Sequence, residues 1–301
     1  MKTIIQFGLV WSCFIINCLY MNAQTEYKVL MTQGVVEALK PNDKTWIRVY
    51  PTITLPEKTS IRNAENSYAA FISNDGVLVE FEKKGVKTLP ATLRSKNSSS
   101  IQKISKYVGQ AFQQQRAPDL MGSISRDASG KVAIEFPFDT KLLLPTVLLS
   151  WHSEAKTTNY EVRITDESGE QVFAKEVRDT SIKLNLSSDI PEFKRGHCYY
   201  WSVSVVNNPA SASSQHCLFV LNEDQATSIE HERSQIESET NELVLPDKSA
   251  LRQFVAGSWC EMRNLYSDAL VHYRKCSLLL PSVDIYRNAL AIFLGKCMQK
   301  K

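Results

Sequence analysis

At 301 residues the chain has room for about two or three domains, and its 43% hydrophobic and 22% charged content excludes wholesale disorder. A formal charge of +3, or +2 once Lys2 is removed with a leader, gives no reason to expect a nucleic-acid or acidic-membrane partner.

The chain opens with Lys2, an almost uncharged apolar stretch from Ile4 to Tyr20 and the small-residue exit Asn22-Ala23-Gln24. This pattern predicts a secretory signal peptide over 1–23, cut near Ala23. A retained membrane anchor would need about twenty apolar residues, whereas Gln6, Ser12 and Asn17 interrupt this run. A lipoprotein would be modified at Cys18, but Asn17 stands where a small residue is expected. The expected location is therefore exported, in the periplasm or envelope or secreted. Of the seven cysteines, Cys13 and Cys18 would leave with the leader; the remaining five are odd in number, so at least one thiol stays free or pairs between chains.

Residues 24–95 read as strand, turn, strand. Tyr27 to Leu39 passes through Gly34; Thr45 to Leu55 follows the Pro41-Asn42-Asp43 turn; Ser67 to Ser73 runs into Asn74-Asp75-Gly76, a strong hairpin signal. Alternation in Val77, Val79 and Phe81 predicts one buried and one wet face, with Glu80 and Glu82 on the wet one. Gly34-Val35-Val36, Trp46, Ile61, Ser67-Tyr68-Ala69 and Asp75-Gly76 follow in order a pattern that resembles the periplasmic domain of FecR-type regulators. Pro51 and Pro56 stand where that family usually has glycines. A leader here replaces the family's cytoplasmic segment and membrane span, which argues against direct contact with a sigma factor.

Residues 96–129 hold an amphipathic helix and a linker: Ile101, Ile104, Val108, Ala111 and Phe112 recur at helical spacing after the cap-forming serines Ser98 to Ser100. Between 130 and 222, short β-branched and aromatic runs alternate with turn signals about every ten residues, the pattern of a β-sandwich. Seven strands are expected, with Tyr199, Trp201, Val203 and Val205 facing the core and Tyr200, Ser202 and Ser204 facing out. Trp151, Tyr160-Glu161-Val162, the Asp166 to Gly169 turn and Tyr199 to Val203 resemble a fibronectin type III or related immunoglobulin-like domain.

From 223 to 301 the period becomes helical. Ile229, Ile236 and Leu243 recur every seven residues in a polar stretch ended by Pro246, and Leu243-Val244-Leu245-Pro246 returns 35 residues later as Leu278-Leu279-Leu280-Pro281. Gly257, Tyr266, Ala269, Tyr273 and Pro281 are spaced as in tetratricopeptide repeats, whose period is about 34. Cys260 and Cys276 depart from that resemblance, and a single full repeat implies a small helical unit leaning on the sandwich or on a partner.

The fold class expected is thus multi-domain and mainly β: a FecR-like β domain and a seven-stranded sandwich, with a C-terminal helical repeat-like unit. His197-Cys198 and His216-Cys217 invite a zinc reading, but adjacent strand residues point to opposite faces and leave the tetrahedron half built, so no metal or other cofactor is expected. A disulfide between Cys198 and Cys217 fits a secreted protein better and would contribute about 3 kcal/mol. By alternation Cys198 points outward, while Cys217, sharing a face with Phe219, is read as inward. No nucleophile elbow, P-loop, dinucleotide fingerprint or zincin motif is present, so no catalytic residues are assigned and an enzyme is not expected. The function expected is a non-catalytic exported scaffold or adaptor of a bacterial envelope with a protein partner. Tyr200, Trp259, Tyr266 and Tyr273 are its candidate surface. The alternatives are a carbohydrate- or peptidoglycan-binding module and the sensor part of an envelope signalling system.

Overall fold

The computed structural model describes residues 25–74, 77–91, 132–153, 159–241 and 249–299. The expected leader, the Asp75-Gly76 turn, the helix and linker at 96–129 and the Leu243 to Pro246 segment lie outside the described residues. The chain divides into two compact units, 1–98 and 99–301.

Among the described residues of the first unit, eight strands form two antiparallel sheets. One has the order β4 (Thr54–Pro56), β1 (Glu26–Gln33), β6 (Tyr68–Ser73), β7 (Leu78–Phe81). The other has the order β3 (Ile47–Arg48), β2 (Val36–Leu39), β5 (Ser60–Asn63), β8 (Gly85–Thr88). Tyr27, Val29, Val36, Ala38, Leu55, Ile61 and Phe71 belong to one buried core drawn from strands of both sheets. Gly34 breaks β1 from β2 at φ +69°, and a Cβ there would stand 2.5 Å from Ser67 Oγ. That hydroxyl instead accepts the Val35 N–H at 2.9 Å. Two residues that the sequence pattern singles out thus meet across 33 positions of chain.

The expected wet face holds at Glu82, which is exposed, and is corrected at β7. Every residue of β6 is buried, and Leu78 opposite Ile72 is buried too. Glu80 is half-buried and accepts the Tyr68 hydroxyl at 2.7 Å. The reason lies in the composition of β6: Tyr68-Ala69-Ala70-Phe71-Ile72 is apolar on both faces, the mark of a strand covered on both sides rather than one.

Among the described residues the second unit holds a sandwich of eight strands rather than seven. A five-stranded sheet runs β10 (Thr140–Leu142), β16 (His216–Val220), β15 (Cys198–Val205), β12 (Tyr160–Thr165), β13 (Gln171–Val177). A three-stranded sheet runs β14 (Ser181–Asn185), β11 (Thr146–His152), β9 (Ala133–Phe136). The unforeseen strand is β10, three residues long and parallel to β16. Pro137 ends β9 by removing a ladder donor, and so short a second run gives no alternation to read. Trp151, Leu149 and Leu184 of the smaller sheet share one core with Tyr160, Val162, Tyr199, Trp201 and Leu218 of the larger. Trp201 donates its indole N–H to the Pro137 carbonyl at 3.2 Å. The β12–β13 hairpin closes on Asp166, whose Oδ1 accepts from the Ser168 N–H, the Ser168 hydroxyl and the Glu170 N–H. Those bonds, the Ser168 hydroxyl foremost, hold the Asp166 carboxyl below its ordinary pKa.

Among the described residues four helices follow: α1 (Glu223–Asn241), α2 (Ala250–Met262), α3 (Tyr266–Leu279) and α4 (Asp284–Gln299). Asn222 and Gln225 cap α1 reciprocally, each side chain accepting the other's backbone N–H. The described part of the chain is mainly β with a helical C-terminal region.

Candidate interaction surface

The helices do not hang free. The turn between α2 and α3 docks on β10, the edge strand of the five-stranded sheet. The Asn264 carbonyl accepts the Lys141 N–H at 2.8 Å and the Thr140 hydroxyl at 3.1 Å, and Thr140 Oγ1 accepts the Tyr266 N–H at 3.0 Å. Asn264 can do this because it takes a left-handed conformation, φ 60°, which asparagine tolerates. Polar groups that an edge strand would otherwise offer to another chain are thereby satisfied internally. Behind this seam Phe293 of α4 is buried among the rings of Phe136, Tyr266 and Tyr273, with centroids 6.4, 6.0 and 5.3 Å away. All three separations fall in the range of favourable aromatic pairs.

This packing decides most of the candidate surface. Tyr266 and Tyr273 are buried in the seam, and Trp259 is buried beneath the Arg263 guanidinium, 4.6 Å from its ring centroid. As a surface these three are withdrawn: with 3.6 residues per turn, the aromatic face of α2 and α3 is the face that packs. Gly257 explains the close approach, since a Cβ there would stand 3.1 Å from the Tyr273 ring. The Tyr273 hydroxyl lies 3.2 Å from Ser258 Oγ and donates to Glu261 Oε2 at 2.7 Å, while Lys296 donates to Glu261 Oε1 at 2.9 Å. Burial, with the Glu261 charge beside it, pushes the Tyr273 phenol well above its ordinary pKa.

Tyr200 is 37% exposed on the outer face of β15. Beside it the structure joins Cys198 and Cys217 as a disulfide, with Cα atoms 5.6 Å apart. The expected inward direction of Cys217 is corrected. His216, Leu218 and Val220 take the buried face of β16, so Cys217 lies with Phe219 on the outer face, the same side as Cys198. Phe219 is only half-buried on that outer face, while the polar His216 takes a buried place at the strand end, edge-on to the Phe138 ring at 5.1 Å.

Neither histidine of the doublet joins a ligand set. His197 Nδ1 lies 3.1 Å from Glu167 Oε2, while Glu167 Oε1 accepts the Cys198 N–H at 2.9 Å. That backbone bond first, then His197, lowers the Glu167 pKa. His216 Nε2 lies 3.0 Å from Ser214 Oγ, and its Nδ1 is 3.6 Å from Asp139 Oδ1. A serine, a histidine and an aspartate in a row suggest a hydrolytic triad. The geometry argues otherwise: Asp139 Oδ1 is taken by the Cys217 N–H at 2.7 Å, and 3.6 Å to the imidazole is beyond a hydrogen bond. The carboxylate braces the β10–β16 edge. Among the described residues no group of three or more His, Cys, Asp or Glu could hold a metal ion. None of the described helices is long and apolar enough to cross a membrane.

The surface that sequence reasoning missed is on α3. Val271 is 50% exposed and Leu278 79%, one heptad apart on one face, with exposed Arg274 and Lys275 on either side. Among the described residues no ion pair or hydrogen bond engages either cation's side-chain nitrogens. The signal available was the spacing of Val271 and Leu278 itself, masked by the fact that Leu270, Leu279 and Leu280 crowd the same stretch.

No family model matches the chain, and no curated protein matches it. Solved structures with partial likeness include the FN1–FN3 domains of chicken CNTN1, a chain of fibronectin type III domains, at 14% identity and a TM-score of 0.21 over 66% of this chain and 56% of that one. The BSP domain of a biofilm-associated protein is 12% identical, with a TM-score of 0.21 over 66% of this chain and 25% of that chain. A β-1,2-glucanase from Parabacteroides distasonis is 10% identical, with a TM-score of 0.22 over 86% of this chain and 39% of that chain. This chain thus spans between a quarter and just over half the length of these structures. At such scores the likenesses carry no functional argument.

Proposed function

We propose that this chain is an exported, non-catalytic scaffold or adaptor of a bacterial cell envelope that holds a protein partner. The observation that carries the reading is the fixed seam between the helices and β10, in which Asn264, Thr140 and Phe293 lock the C-terminal unit to the sandwich edge. A helical hairpin so anchored is a rigid platform, and its packing aromatics are consumed inside it, leaving a defined outer face for recognition. The finer assignments belong to the same proposal. The Gly34–Ser67 contact supports a FecR-like first unit, and Gly257 seated on Tyr273 supports a tetratricopeptide-like hairpin.

The test is affinity capture of the full chain, expressed in its native host, from the soluble periplasmic or secreted fraction, with intact mass measured alongside. The expected result is a mass matching cleavage after Ala23 and one partner protein retained at fixed stoichiometry, with the complex rebuilt from the two purified proteins. A chain that purifies alone and is retained on peptidoglycan or polysaccharide would overturn the adaptor in favour of a glycan-binding module. Retention of the amino terminus in the membrane fraction would overturn the export reading.

A further inference from the structure

We infer that the outer face of α3, built by Val271, Arg274, Lys275 and Leu278, is the docking site for an acidic amphipathic helix of the protein partner. The inference rests on the adaptor reading and names the chemistry of its partner.

Three observations converge on this occupant. The first is the face itself: Val271 and Leu278 are exposed one heptad apart, a short apolar stripe of the kind that takes a helix in a groove. The second is charge. Arg274 and Lys275 flank the stripe, and among the described residues their cationic groups have no hydrogen-bonded or ion-paired partner, so carboxylates on either side of an apolar seam would complement them. The third is a precedent within the chain. Helix α1 is itself acidic, with Glu223, Asp224, Glu230, Glu232 and Glu237 around the half-buried Ile229 and Ile236. It is held beside α2 and α3 by Glu232, which accepts from Arg263 Nε at 2.7 Å, and its Arg233 acts electrostatically on Asp268 of α3. The helical unit therefore already holds one acidic helix by a carboxylate–guanidinium contact. The open C-terminal half of α3 offers cations for the same kind of contact, beside the exposed Val271 and Leu278.

The other occupants fit less well. Two copies meeting α3 against α3 would bring Arg274 and Lys275 of one chain onto those of the other, a like-charge juxtaposition that disfavours the pairing. Two cations and a short apolar stripe are too few for stable seating on an anionic bilayer.

The experiment places a benzophenone photo-crosslinking side chain at Leu278 of the full chain in its native host, with the same group at exposed Leu148 of β11 as control. The cross-linked peptides are then sequenced by mass spectrometry. The expected result is an adduct at 278, absent at 148, to a segment of another protein that carries Asp or Glu around apolar residues at helical spacing. The double variant R274E/K275E is expected to cut its yield by about tenfold or more, with circular dichroism unchanged. An adduct to a second copy, an adduct to lipid alone, an adduct unaffected by the charge reversal, or none above the control would each overturn the inference. Affinity capture of the same chain separates the two readings. A stoichiometric partner without a 278 adduct sinks this site and leaves the adaptor standing, whereas absence of both sinks the adaptor as well.

Discussion

Replacing Phe293 by alanine tests whether the helices and the sandwich share one core. Phe293 is buried on α4, and its ring meets Phe136 of β9 as well as Tyr266 and Tyr273 of α3. A buried Phe→Ala change costs about 3–5 kcal/mol in lost transfer energy and residual cavity. Three aromatic pairs, each contributing about 0.5–1.5 kcal/mol beyond burial, put this site in the upper part of that range. For a unit of this size, about 2–4 °C per kcal/mol converts the loss into a fall in Tm of roughly 6–20 °C. The assay is urea unfolding, joined to hydrogen exchange resolved by peptide. Phe293→Ala should speed exchange in α2 to α4 and also in β10, whose Lys141 N–H is held by the Asn264 carbonyl. Phe293→Leu keeps most of the volume and should cost no more than about 1.5 kcal/mol. A loss below about 1 kcal/mol for the alanine variant, or unchanged exchange in β10, would refute the shared core.

Other outcomes follow from the same geometry. Replacing Cys198 and Cys217 by alanine opens a loop of 19 residues and should cost about 3 kcal/mol in urea unfolding; an unchanged midpoint would mean the bond constrains nothing. His272 is half-buried with its Nδ1 2.9 Å from Gln253 Oε1, and desolvation, reinforced by Arg233 and Lys275, lowers its pKa to about 4. Its unfolded value is higher, so the unfolded chain binds the extra proton first. The contribution of neutral His272 is therefore fully present above about pH 6.5 and is lost as pH falls towards about 4. Burial raises the pKa of nearby Asp268, which acts in the opposite sense because its protonation favours the folded state as pH falls. The His272→Gln variant should flatten the slope of stability across that window, and an unaltered slope would assign it to other groups. Glu261→Ala leaves Lys296 and the Tyr273 hydroxyl without their shared carboxylate and should cost about 3 kcal/mol by denaturant titration. In thiol-labelling experiments read by peptide mapping, Cys260, Cys276 and Cys297 should react only after unfolding, since all three are buried and burial pushes Cys260 up to about 12.

How far the sequence by itself determined this protein can be judged residue by residue. Period-two runs with turn residues between them specified most strands, because a half-buried strand must alternate; the Asp166 to Gly169 hairpin was legible from its own side-chain chemistry. Helical spacing likewise specified α2 and α3, with Gly257 marking a close approach that only the absence of a side chain allows. The tertiary structure decided what period cannot carry. Strand β10 is three residues long and exists because β16 and the Asn264 turn supply its hydrogen-bond partners. β6 is covered on both faces, and Cys217 turns outward because His216 is accepted into the interior. Trp259, Tyr266 and Tyr273 look alike in sequence whether they pack or project, and their burial was settled by Phe293 and Arg263, which approach them from other elements. The exposed Val271 and Leu278 became visible for the same reason: an apolar residue in a helix is core or surface according to what lies opposite, and that partner is a fact of tertiary structure.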